Sequence, residues 1–200
     1  KTKIESRQEI IDQLSESLQK DIVTIFADIE QVRVEVLKPE LIDENSNSQQ
    51  VREVLSELME KLHECQEDSQ KIRGWQKQFR IEVTRFDTLD VVFQEVRLRQ
   101  MLWDSVQQWK DCYEELIEIP FHKLNIQQVV ELNTKILKNC GMLEKNLPKN
   151  EIVPRLKADC EEFKEKIPIL QCLRSPDLKP RHWLKIEQTL DRKLLGAENL

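Results

Sequence analysis

The chain has 200 residues, a net charge of −6 and a pI near 5.3; 34% of its residues are charged, 6% are aromatic and three are glycine. Its Lys and Arg are interspersed with Asp and Glu, so no clustered basic surface is expected for nucleic acid, and no apolar run approaches the roughly 20 residues that span a bilayer. So few glycines and aromatics disfavour a sheet-rich fold with tight turns and favour long helices with solvated faces, in one domain or two small ones.

The chain begins at Lys1 rather than Met and is expected to be a piece of something longer, with no secretory signal at its start. In the first segment, from about Lys1 to Leu37, Ile11, Leu14, Leu18, Ile22, Ile25, Ile29, Val32 and Val36 recur at steps of three and four. That spacing predicts a helix, although Ile22 to Leu37 is rich in β-branched residues. Ile10, Val23, Phe26 and Val34 are expected to widen its apolar stripe, as suits a helix packed against several neighbours. Pro39 stops it. "DENSNSQQ" reads as an exposed loop in which Ser46 or Ser48 caps the next helix.

Val51, Leu55, Leu58, Leu62, Cys65, Ser69 and Ile72 then keep a regular step, formally continued through Gln76 to Phe79. Gly74 costs a helix roughly 1 kcal/mol relative to Ala, so a bend there is an option. "RIEVTRFDT" breaks the pattern, with Thr84 or Asp87 as cap. The next helix carries Leu89, Val92, Val96, Arg99, Trp103, Val106 and Tyr113 on one seam, with Met101, Leu102, Trp109 and Leu116 on the adjoining face.

"EIPFHKLN" interrupts the chain: Pro120 stops one helix and Asn125 caps the next. Ile126, Val129, Asn133, Ile136, Cys140, Leu143 and Leu147 alternate three and four. After the corner "LPKNE", capped by Asn150, the seam is Ile152, Leu156, Cys160, Phe163, Ile167 and Leu170. Pro168 inside it is expected to kink or end the helix. Pro180 sits at the first turn of a last helix with Trp183, Ile186, Leu190 and Leu194 on one face and Gly196 as its stop. The expected fold is all-α: an elongated bundle of six or seven mostly antiparallel helices with short connections.

Nothing in this pattern carries catalysis. There is no Gly-rich phosphate loop, no HExxH and no GxSxG. His63, His122 and His182 are dispersed and read as structural. The five cysteines, 65, 112, 140, 160 and 172, are odd in number and form no CxxC pair, the usage expected of reduced thiols serving as small apolar residues. His63 and Cys65 are two apart and point to different faces of a helix. Trp75, Trp103, Trp109 and Trp183 lie on or beside seams, where tryptophan anchors a core. The expectation is therefore no catalytic, cofactor-binding or metal-binding residue, and no cofactor.

Two stretches carry a resemblance. "LWDSVQQWKDCYEELIEIPFHKLN" (102–125) resembles the Leu-Trp…Trp…Pro-Phe-x-x-Leu stretch of dynein heavy chains, in a spelling closer to axonemal than to cytoplasmic members. "IPILQCLRSPDLKPRHWLKIEQTL" (167–190) is similar to that family's Leu-Pro-x-Leu, Leu-Arg-x-Pro-x-Leu and Arg-His-Trp; Ile167 stands where Leu is expected. The likeness is strong from about Trp75 to Leu195 and weak over residues 1–70. It implies a non-catalytic segment ahead of the ATPase ring, with 1–83 a helical pair on the tail or neck side and 84–200 a bundle at the base of the linker. The implied task is to couple ATP-driven changes in the ring to the tail during microtubule-based movement. The implied partners are the rest of the heavy chain with its ring, other dynein subunits, and microtubules only through the full-length motor. The implied place is cytoplasmic and cytoskeletal, in the axoneme of a cilium or flagellum. Arg181-His182-Trp183 would then be a structural signature: Pro180 starts the helix, Trp183 buries, and Arg181 and His182 tie the turn to the preceding helix end. The competing function for the Pro176–Trp183 corner is a hinge. The competing function for the whole is a spectrin-like scaffold or adaptor module that only binds protein partners.

Overall fold

A computed structural model describes the backbone of residues 2–119 and 123–193, and side chains from residue 12 on. Its elements are α1 (Thr2–Val36), a short 3-10 turn (Pro39–Ile42), α2 (Ser48–Phe79), α3 (Asp87–Glu118), α4 (Ile126–Asn146), α5 (Ile152–Leu173) and α6 (Pro180–Leu190). The fold is all-α, and no strand occurs among the described residues. The expected positions Ile10, Ile11, Pro120, Phe121, His122, Leu194 and Gly196 lie outside what is described for their side chains or altogether.

The chain forms two compact units, residues 1–100 and 101–200, and the division falls within α3. In the first unit α1 and α2 pack along each other. They must run antiparallel: α2 has 32 residues and is roughly 48 Å long, whereas the link from 37 to 47 reaches at most about 36 Å. The first half of α3 returns along α2. Gln76 meets Thr84, the His63 ring sits edge-on to Phe93 at 5.3 Å, and the Gln100 amide donates to the Leu55 carbonyl at 3.4 Å.

The α1 seam is buried from Leu18 through Ile22, Ile25, Ile29 and Val32 to Val36, with Leu14 partly covered. The expected widening does not occur. Val23 and Val34 are exposed, and Phe26 is partly so while stacking on Phe86 at 5.0 Å. A helix whose long neighbour is α2 needs only a narrow seam, and extra apolar residues stay in water. The α2 seam is buried at every expected position from Val51 to Gln76, whereas Phe79 is exposed. The helix is continuous through Gly74.

Asn47, and neither Ser46 nor Ser48, caps α2: its side-chain oxygen accepts from the amides of Gln49 and Gln50, while Ser48 is already the first helical residue. Ser46 instead donates to the Glu40 carbonyl at 2.7 Å. α2 ends on Arg80 in the left-handed region (φ 58°). Buried Gln76 then clamps the following loop, donating to Thr84 Oγ1 and accepting from the Thr84 amide, both at 2.9 Å. Thr84 is thus engaged with α2, and Asp87 opens α3, where a carboxylate favours the helix start.

In the second unit α4 runs antiparallel to the second half of α3, with Asn139 donating to Ser105 and Lys135 to Gln108. α5 packs antiparallel on α4, joined by the Lys157–Glu144 ion pair at 2.9 Å, and brings Phe163 edge-on to Trp109 at 5.5 Å. The α3 seam shifts here. Past Trp103 the buried positions are Ser105, Trp109 and Cys112, whereas Val106 is only partly covered and Tyr113 is exposed, against expectation. Asn125 caps α4 as expected. At α5 the cap position is Glu151, whose side chain makes no cap bond, and the expected Asn150 stands one residue earlier, its side-chain oxygen accepting from the Val153 amide at 3.0 Å.

Pro168 does not end α5, which continues to Leu173. Proline removes one donor and frees the Lys164 carbonyl, but turns on both sides hold the helix. α6 stops at Leu190, on Asp191 in the left-handed region (φ 52°), several residues ahead of Gly196.

Candidate functional site

The corner between α5 and α6 is built from local bonds. The Arg174 amide donates to the carbonyls of Leu170 and Gln171 and that of Ser175 to Cys172, closing α5. The Leu178 amide donates to the Ser175 carbonyl at 3.1 Å, a β-turn with Pro176 in its second place. The Asp177 amide donates to Ser175 Oγ at 3.3 Å.

Pro180 is the first helical residue, where its missing N–H leaves no bond unmade. The side chain of His182, three residues past Lys179, reaches back and accepts the Lys179 amide on Nδ1 at 3.1 Å. This is the return half of a capping box, with imidazole in the place usual for Glu or Gln. Arg181 Nε also lies 3.2 Å from His182 Nε2. A neutral imidazole accepts on one nitrogen only. The Lys179 amide and Arg181 Nε therefore share one acceptor position between them, and the ring's tautomer sets which of the two contacts is the hydrogen bond.

Two expectations for this corner are corrected. His182 ties the start of its own helix and not the end of α5. Trp183 is only half-buried, and no residue of α6 is fully buried. Of the other tryptophans, Trp103 and Trp109 are core residues, but Trp75 is 46% exposed.

Four thiols, Cys65, Cys112, Cys140 and Cys160, are buried and Cys172 is exposed. Burial pushes Cys140 up to about 11 and Cys160 up to about 12 from an ordinary 9.0, and raises Cys65 and Cys112 as well. The native state therefore keeps these protons after unfolded thiols lose theirs. Stability is full below about pH 9 and falls as the pH rises toward 11–12. In native protein, Ellman's reagent is expected to titrate one thiol quickly and all five only in denaturant. The denaturation midpoint is expected to drop as the pH rises above about 9 toward 11, less steeply in a Cys140→Ala/Cys160→Ala variant.

His63 is exposed, with Nδ1 at 2.8 Å from the Met59 carbonyl, while Cys65 is buried. Among the described residues no group of His, Cys, Asp or Glu is placed to hold a metal ion, and no helix is long and apolar enough to cross a membrane. Sequence reasoning missed two features. One is the open groove of about 390 Å³ between α3 and α5, floored by Trp109, Tyr113 and Phe163. The other is Arg99, named on the seam but carrying a charge that is 99% covered. The seam shift would have revealed the first; only an arginine at an apolar position signals the second.

Comparison with known proteins places this arrangement. The family described as "Dynein heavy chain, N-terminal region 2" matches residues 89–199, from the first turn of α3 through α6. The chain belongs to the dynein heavy chain family. It is 34% identical over 192 residues, 96% of its length, to human "Dynein axonemal heavy chain 6". That match extends the likeness into residues 1–70, where the motifs alone were weak. In Chlamydomonas reinhardtii it is 22% identical to "Dynein-1-beta heavy chain, flagellar inner arm I1 complex" over 62% of the chain, and 26% identical to "Dynein beta chain, flagellar outer arm" over 44%. The chain spans only 5%, 3% and 2% of the lengths of these dyneins. Both motif-bearing stretches, 102–125 and 167–190, lie within the family match, so the α5–α6 corner belongs to the dynein region.

Proposed function

We propose that this chain is a non-catalytic mechanical segment of an axonemal dynein heavy chain, coupling ATP-driven changes in the ring to the tail. The observation that carries the reading is the family match over 89–199, which covers every helix from α3 to α6. The packing supports it. Within each unit, continuous helices with narrow buried seams resist bending. In this reading residues 1–83 are the tail-side pair and 84–200 the base of the linker. The partners are the rest of the heavy chain with its ring, other dynein subunits, and microtubules through the whole motor. The setting is the axoneme.

Val23 and Val34 exposed on α1, and Leu37 exposed just past its end, favour a second reading, a scaffold whose task is to bind other proteins. Calorimetric titration of the chain with Mg·ATP tests the non-catalytic part. No saturable heat is expected, since the sequence has no phosphate loop, and saturable binding would contradict it. In the whole motor the mechanical reading predicts that loosening the α5–α6 corner separates ATP turnover from movement.

A further inference from the structure

Ser175 is the one serine or threonine of the sequence followed by proline. It lies in the turn between α5 and α6 and is partly exposed, with Arg174, Pro176, Asp177 and Lys179 exposed around it. Its hydroxyl is held only by the 3.3 Å bond from the Asp177 amide, so little is lost when the turn opens. Pro176 has no N–H, so a substrate groove that closes over an apolar residue after the serine leaves no donor unpaired. We propose that Ser175 is a phosphorylation site for a proline-directed protein kinase.

In the transfer, Ser175 Oγ forms the new bond to the γ-phosphorus of ATP as the bond to the ADP oxygen breaks. The hydroxyl proton passes to the kinase's carboxylate base. The modification goes beyond the mechanical reading and does not need it; only an effect on movement would.

The test treats the folded chain with a purified cyclin-dependent-class kinase and Mg·ATP and maps phosphate by mass spectrometry. Close to one phosphate per chain is expected, on Ser175. Ser175→Ala and Pro176→Ala should each lower incorporation at least tenfold, and Lys185→Gln should not. Labelling of a peptide spanning 170–185 but not of the folded chain, or labelling mainly elsewhere, would overturn the site.

Discussion

Leu62→Ala is expected to lower the stability of the first unit by about 3–5 kcal/mol. Leu62 has no exposed surface and sits at mid-length in the unbroken α2 seam. Truncation removes three carbons from a helix held by α1 on one side and α3 on another, and neither can collapse into the space without shifting its own seam. Val91→Ala is the comparison. Val91 is 59% exposed on α3, and its loss should cost less than about 0.5 kcal/mol. Urea denaturation followed by circular dichroism checks both. Similar midpoints for the two variants would mean that the α2 seam is not the core of this unit.

Glu95→Ala should cost nearly as much, about 3 kcal/mol, for an electrostatic reason. Arg99 is 1% exposed, and its Nη1 donates to both the Glu95 carboxylate and the Glu95 carbonyl, while its Nε has no partner. The carboxylate is the charge that answers this guanidinium. Without it a buried cation keeps only a backbone oxygen. Glu95 is itself 31% exposed, so water relieves part of the loss and the lower end of the usual range applies. Replacing both partners, Glu95→Gln with Arg99→Met, should recover most of the stability, because a flexible apolar side chain of similar length fills the site without a charge. If the double variant were as unstable as Glu95→Ala, packing rather than charge would set the cost.

The parts legible in sequence are those where one helix meets one continuous surface. The α2 and α4 seams alternate three and four throughout, and they bury at the named positions from Val51 to Gln76 and from Val129 to Leu147, leaving only the end positions Phe79 exposed and Ile126 partly covered. α3 was harder. Its residues up to Arg99 face α2, and those from Leu102 on face α4 and α5. The stripe therefore changes angle along one helix, and following a single seam leads to Tyr113 instead of Cys112. Val23 and Val34 show the one-way nature of apolar residues: buried residues are apolar, but apolar residues need not be buried. Between Ser46, Asn47 and Ser48, equal capping ability left the choice to geometry.

At the corner, Pro180 as first helical residue was readable because φ and the missing donor fix it. The burial of Trp183 was not. Periodicity states which face of α6 would bury, not whether a surface meets it. His182 as a cap was also hidden, since the usual signature is Glu or Gln at that place.

The central claim is that the corner carries load, and the direct test is a flexible Gly/Ser insert between Ser175 and Lys179 in the full-length motor. Such an insert is a random coil with no bending resistance over a few residues, so the ring can cycle while the tail side no longer follows. Motor-driven microtubule gliding, with the motor anchored through its N-terminal end, is measured beside microtubule-stimulated ATPase. ATP turnover near the unmodified rate with sharply slowed gliding is predicted, and Lys185→Gln on an exposed position of α6 should change neither. Gliding at the unmodified velocity would contradict the claim, and loss of ATPase and movement together would assign the corner to folding or to regulation of the ring.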